Sequence, residues 1–305
     1  MILSLGPLRL KNPYLLAPME AVSDTGFREL CGSLGASLTF TEMVRGASFV
    51  RENKATLDLV DTYETAAPVG VQFLTKGPEE LQRTIEKFFE LRGRPGFEHF
   101  RNVKAFDLNF GCPSPENIRI GAGPALIKRT AKMDAIFRTL AQVTKRHDET
   151  IAVGVKLRLG MNRLEKERKV AYRLAPAANE HLDFFTMHAK HAAQRGREEA
   201  DWSALHELRD LVTTRLIGNG GALDAESARK MLRETKVDGV MVARGAIRNP
   251  WIFRALSGQG AELPTRDEIL DAQSAYLATA KLYGTRQKYL DFHEENFERM
   301  LQERR

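Results

Sequence analysis

Short apolar runs rich in Val, Ile, Leu and Phe alternate along this chain with longer amphipathic segments, the pattern of parallel strands joined by crossover helices. The pattern predicts strands within Tyr14–Met19, Ser37–Met43, Pro68–Leu74, Ala105–Cys112, Ile151–Gly160, Asp183–Ala189, Leu216–Gly221 and Asp238–Gly245. That many strand–helix units in about 250 residues predict an α/β fold closed into a (β/α)8 TIM barrel rather than an open sheet. The opening Leu3-Ser4-Leu5-Gly6-Pro7-Leu8-Arg9-Leu10 alternates around a Gly-Pro turn, so it reads as a small hairpin able to plug the barrel floor. After Gly245 the character changes. Ser257-Gly258-Gln259-Gly260 is a flexible break, and Thr265-Arg266-Asp267-Glu268 is a capping box that opens a new helix. The expected division is a barrel over residues 1–255 and a short C-terminal helical appendage over 256–305.

Composition narrows the functional classes. With 305 residues, 43% of them hydrophobic, the chain can bury one large core and is not a short peptide module. A formal net charge of +6 permits a polyanionic partner without requiring one. The two cysteines, Cys31 and Cys112, cannot build a disulfide framework and match no zinc or iron–sulfur spacing. No bound metal and a reducing, cytoplasmic setting are therefore expected. The N-terminus lacks a basic leader, and no stretch reaches the roughly 20 apolar residues of a membrane span, so no membrane association is expected. A monomer is favoured over an oligomer.

In such barrels the chemistry sits at the C-terminal ends of the strands. Polar residues are dense there. The first strand leads into Ala17-Pro18-Met19, the third carries Gln72, the fourth leads into Asn109-Phe110-Gly111-Cys112, the fifth carries Lys156 and Arg158, and the sixth ends at His188. Gly218-Asn219-Gly220-Gly221 and Ala243-Arg244-Gly245 close the last two strands just before helices, where backbone amides and helix N-termini favour a phosphate. Tight turns alone would also account for these glycines. Lys156 lies in an apolar strand, where a cation is costly unless an anion such as a reduced flavin meets it or its stem snorkels to solvent from the strand end. His188 could bond a cofactor phosphate or carbonyl, or could be structural. Cys31 reads as a small buried apolar residue. Cys112, between Gly111 and Pro113 at a strand end, is placed at the mouth, where its thiol could act as a general acid.

Together these residues resemble the dihydrouridine synthases, FMN-dependent enzymes that reduce uridine in transfer RNA. The resemblance runs over residues 12–255. It is carried by Leu16-Ala17-Pro18-Met19-Glu20, Val71-Gln72-Phe73, Val155-Lys156-Leu157-Arg158-Leu159-Gly160, His188, Ala200-Asp201-Trp202 and the two closing glycine motifs. The discriminating piece is Asp107-Leu108-Asn109-Phe110-Gly111-Cys112-Pro113-Ser114 followed by Gly121-Ala122-Gly123. The resemblance implies that NADPH (or NADH) reduces FMN, that the flavin delivers hydride to C6 of the uracil, and that Cys112 gives a proton to C5. It further implies that Pro18, Met19, Glu20, Gln72, Lys156, His188, Asn219, Gly220, Gly221, Ala243 and Arg244 hold FMN. Asn109 and Arg158 would then orient the uracil.

A uracil in folded RNA must leave its stack to reach such a site, which requires RNA-binding surface around the mouth. Arg158, Arg163, Lys166, Arg168, Lys169 and Arg173, then Lys190, Arg195 and Arg197, are the expected phosphate-facing cations, with a solvated helix face of alternating charge as the alternative for Lys166–Arg173. The chain departs from the family pattern at Pro115-Glu116, where a lysine is usual, at Pro124, and in the loop after His188. Ribosomal RNA as substrate, an FMN barrel reducing a small molecule, and a non-catalytic RNA-binding barrel are the competing readings.

Overall fold

The computed structural model describes residues 2–60, 62, 65–194 and 198–304. Arg195 and Arg197, two of the expected cations, lie outside them. The strands are β1 (Leu3–Leu5), β2 (Leu8–Leu10), β3 (Tyr14–Leu16), β4 (Thr39–Arg45), β5 (Val69–Leu74), β6 (Val103–Phe110), β7 (Ala152–Arg158), β8 (Phe184–His188), β9 (Arg215–Asn219) and β10 (Gly239–Val242). β3 to β10 form one parallel sheet in the order β3-β10-β9-β8-β7-β6-β5-β4. Leu15 bridges Leu38, and the Leu16 amide donates to the Leu38 carbonyl at 2.9 Å, which brings the two ends of the sheet together. The eight apolar runs are thus the eight strands of a TIM barrel.

Several strands stop short of their apolar runs, and side chains are the cause. β3 ends at Leu16 because Pro18 has no N–H to donate and the Met19 amide is taken by Ser23 Oγ at 2.9 Å. β6 ends at Phe110 because Asn109 Oδ1 accepts from the amides of Gly111 and Cys112, at 3.1 and 2.9 Å, and bends the chain out of the ladder.

Two apolar layers result. The inner one joins Leu15, Leu38, Phe40, Ala105, Ala152, Phe184, Ile217 and Met241 of the barrel interior to Leu3, Leu5 and Leu10 of the hairpin. β1 and β2 pair antiparallel as expected. Their turn at Gly6, with φ +51, presses against the Asp183 carboxylate at the N-terminal end of β8, so the hairpin closes the floor. Large and small side chains complement one another inside the barrel: a Cβ at Gly70 would lie 2.4 Å from the Phe40 ring, and one at Gly154 2.3 Å from that of Phe184. The outer layer packs the crossover helices on the strands.

Thr265 and Glu268 form the expected capping box, and the helix Arg266–Leu282 is followed by Gln287–Gln302. This pair packs on the first barrel helix, Thr25–Ser33. Tyr276 Oη donates to Asp24 Oδ2 at 3.2 Å, Tyr289 Oη donates to the Glu42 carboxylate, and the His293 ring stacks on Phe27 with centroids 4.6 Å apart. Glu42 also accepts from the Ala21 amide at 2.7 Å, which links the C-terminal helices to the loop after β3. Among the described residues no helix is long and apolar enough to cross a membrane.

Candidate active site

β5, β6 and β7 place their polar residues side by side because Gln72 pairs in register with Asp107, and Asn109 with Lys156. A relay of hydrogen bonds follows. Gln72 Nε2 donates to Asp107 Oδ2 at 2.6 Å, and Asn109 Nδ2 donates to Gln72 Oε1 at 2.7 Å. Asn109 Oδ1 then holds the Cys112 amide. Arg158 Nε donates to the Gly111 carbonyl at 2.7 Å. The backbone beneath Cys112 is therefore clamped from two strands, while its thiol is half-buried at the rim.

Two cavities share Arg158 as a wall. The smaller, about 150 Å³, is lined by Pro18, Glu20, Gln72, Asn109, Cys112, Lys156 and Arg158 with Met43 and Pro113. The larger, about 270 Å³, is lined by Met19, Arg158, Lys190, His188, Asn219, Gly220, Gly221, Ala243 and Arg244. Every catalytic, cofactor and uracil-orienting candidate from the sequence thus lines one of these two adjoining cavities.

The larger cavity has the character of an anion cradle. Gly220 and Gly221 have φ of +103 and +87, a backbone that L side chains rarely adopt. A Cβ at Gly220 would lie 2.8 Å from His188 Cδ2, and one at Gly221 3.0 Å from Trp202 Nε1. Trp202 Nε1 donates to the Gly220 carbonyl at 2.9 Å, and Asn219 Nδ2 to that of Met241 at 2.7 Å, fixing the turn. Burial, then the charges of Lys156, Arg158, Lys190 and Arg244, push the His188 pKa far below its ordinary value, so its ring is neutral. Burial and the neighbouring Arg244 and Arg158 also lower that of Lys190. So many cations facing one cavity call for an anionic ligand.

Asp107 is a fully buried carboxyl bonded to Gln72. Burial raises its pKa to about 7, against the pull of Gln72 and Lys156, and burial lowers that of Lys156 to about 8. Asp107 Oδ1 meets no hydrogen-bond partner among the described residues. The folded chain therefore holds a proton on Asp107 at pH values where the unfolded chain has lost it. The stability this confers is present below the ordinary carboxylate pKa of 3.8 and is lost as pH rises toward about 7. Asp107→Asn, which cannot titrate, should gain melting temperature relative to the parent between pH 4.5 and 7.5. A pH-independent difference would mean that Asp107 is ionised throughout.

Some residues sit where the sequence did not place them. Lys190, expected among outward cations, is 3% exposed, and its ammonium donates to the Glu198 carbonyl. Of the other expected cations, Arg163 pairs with Glu167, Lys166 with Asp201 and Lys169 with Glu207, each at 2.7 Å. Glu116, at a departure from the family pattern, receives both arms of Arg45 at 2.6 and 2.8 Å. Asp107 lay in the quoted motif without a role, although its period-two spacing from Asn109 puts both on one face of β6. Cys31 is fully buried, and burial pushes its thiol pKa well up.

A family model described as "Dihydrouridine synthase (Dus)" matches residues 15–302. A probable tRNA-dihydrouridine synthase of Treponema pallidum is 31% identical over 255 residues, covering 82% of this chain and 72% of that protein. The tRNA-dihydrouridine synthase B of Pseudomonas aeruginosa is 29% identical over 258 residues, covering 84% and 72%. Among solved structures, a morphinone reductase in complex with tetrahydroNAD superposes with a TM-score of 0.57 at 13% identity, over 85% of this chain and 90% of that one. A histamine dehydrogenase from Rhizobium sp. 4-9 gives a TM-score of 0.63 at 10% identity over 91% of this chain, which spans 50% of that longer protein. These structural likenesses concern the barrel fold.

Proposed function

The chain belongs to the dihydrouridine synthase family, and on that footing we propose that it reduces uridine to 5,6-dihydrouridine in transfer RNA, with FMN as its cofactor and NADPH as reductant. The observation that carries this reading is the opening of Cys112, Asn109 and Lys156 onto one small cavity, joined through Arg158 to the glycine and cation cradle.

The residues present suit FMN. Gly220 and Gly221, whose lack of a Cβ lets the turn pack closely on His188 and Trp202, would offer backbone amides to the phosphate together with Arg244 and Lys190. Pro18, Met19, Glu20, Gln72, Asn219 and Ala243 would line the rest of the cofactor, with Lys156 near the part that gains negative charge. When bound and reduced, FMN would supply the hydride that C6 of the uracil takes up.

The remaining work falls to the protein. Asn109 and Arg158 would orient the uracil, Asn109 being held in turn by Gln72. Hydride addition at C6 leaves negative charge toward C5 and O4. The Cys112 thiol then transfers its proton to C5, and its sulfur keeps the S–H electron pair. Extrusion of the base from the RNA stack is required, since C5 and C6 are covered in a stacked helix.

Mass-spectrometric mapping of dihydrouridine in total RNA, from cells with and without this protein, tests the reading. The expected result is loss of dihydrouridine at one or more transfer RNA positions. Loss from ribosomal RNA alone would reassign the substrate, and unchanged dihydrouridine in all RNA would overturn the proposal.

A further inference from the structure

We propose that Asn117 is a positioning residue for Cys112, its side-chain amide holding the sulfur and steadying the thiolate that remains when the proton leaves. The contact with sulfur stands by itself; its part in turnover rests on the reading of Cys112 as the acid.

The geometry comes from the loop after β6. Cys112-Pro113-Ser114 leads into the short helix Pro115–Arg119. The Ile118 amide donates to the Ser114 carbonyl at 3.1 Å, and the Ala122 amide to the Asn117 carbonyl at 2.9 Å. The chain then folds back at Gly123, with φ +63, where a Cβ would touch the Cys112 carbonyl at 3.4 Å. This tight return buries Asn117 completely, behind the half-buried cysteine.

The buried amide is aimed at sulfur. Asn117 Nδ2 lies 3.4 Å from Cys112 Sγ and 3.9 Å from Met43 Sδ, while Asn117 Oδ1 has no hydrogen-bond partner among the described residues. A neutral thiol or thioether is a weak acceptor, so packing alone would favour an apolar side chain of similar volume here. A thiolate is a far better acceptor, and an N–H donor aimed at it favours the charged form. Rotation of the amide exchanges donor and acceptor, so Oδ1 can accept from the protonated thiol and Nδ2 can donate to the thiolate.

Other charges face the same sulfur. Arg45 of β4 and Lys156 and Arg158 of β7 act on it electrostatically. Glu20 after β3 and Glu116, held by Arg45, are the nearby anions. Asn117 differs from all of these in offering a directed donor from the buried side. In the proton transfer the S–H bond breaks, the C5–H bond forms, and the electron pair stays on sulfur until solvent returns a proton. A donor already aimed at the sulfur lowers the energy of that thiolate without reorganisation.

The test is the pH dependence of Cys112 alkylation by iodoacetamide in the flavin-loaded full-length protein, read by peptide mass spectrometry, with buried Cys31 as internal reference. Asn117→Leu should move the alkylation midpoint up by about one pH unit, a roughly tenfold smaller thiolate fraction at a given lower pH. Asn117→Asp, which keeps the shape and replaces the donor by an anion, should move it further in the same direction, and it decides the matter if the leucine variant fails to fold. Folded variants with an unchanged midpoint would overturn the proposal. Retention of dihydrouridine formation by Cys112→Ala would overturn only the acid role, because alkylation reads the sulfur directly.

Discussion

Cys112→Ala is expected to give a yellow protein whose flavin is still bleached by NADPH and which forms dihydrouridine about 10²–10⁴-fold more slowly than the parent. The separation of the two half-reactions follows from how the loop is held. Asn109 Oδ1 accepts from the backbone amide of Cys112, and Arg158 donates to the backbone carbonyl of Gly111. Neither bond uses the thiol, so alanine leaves the clamp, the Gln72–Asp107 contact and the cavity walls in place. The proton source is removed, and with it the sulfur that meets the Asn117 amide at 3.4 Å. Flavin spectra, stopped-flow reduction and dihydrouridine yield on transfer RNA measure the three quantities, and a yield equal to that of the parent would remove Cys112 from the chemistry.

The opposite pattern is expected of Gly220→Ala, which should lose flavin while keeping the fold. At φ +103 an alanine carries about 1–3 kcal/mol of backbone strain. Its Cβ would also lie 2.8 Å from His188 Cδ2. Relief requires either a change in φ, which turns the amides of the cradle away, or displacement of His188, which lines the same cavity. Each route spoils the anion site, and 1–3 kcal/mol alone corresponds to about 5–150-fold weaker binding. Fluorescence titration with FMN measures this directly. Alanine binding as tightly as glycine would exclude the turn after β9 as the phosphate cradle. Together the two variants divide the mouth into a part that supplies the proton and a part that retains the cofactor.

The C-terminal helices enter this picture through a contact distant in sequence. Tyr289 reaches Glu42, and Glu42 holds the Ala21 amide directly after Pro18, Met19 and Glu20. Asp24 caps the helix Thr25–Ser33 through the Phe27 amide at 3.1 Å and receives the Tyr276 hydroxyl. The appendage is thus packed on the barrel through two buried carboxylates, and shares a loop with the candidate site.

The eight strands, the floor hairpin and the capping box at Thr265 were legible because each depends on local periodicity or on residues within one turn of one another. The mouth was legible too, since a barrel directs every strand end toward one face and makes Gln72, Asn109, Lys156 and His188 neighbours. Strand ends were less so. Ser23 and Asn109 compete with the ladder for backbone amides, which an apolar run does not reveal.

Charge placement depended on closure of the whole molecule. Lys190 reads as one more exposed cation in a basic loop, yet the chain turns it inward beside Arg244 and Arg158. Lys166 and Lys169 read either as phosphate contacts or as part of a solvated face of alternating charge, and Asp201 and Glu207, on or before the helix Trp202–Arg209, meet them. Asn117 drew no role from the sequence, yet the return at Gly123 buries its amide against the sulfur of Cys112. Backbone periodicity is set by near neighbours and can be read along the chain; the partner of a charge or an amide is set by which distant segments the closed barrel brings within about 3 Å, the reach of a hydrogen bond.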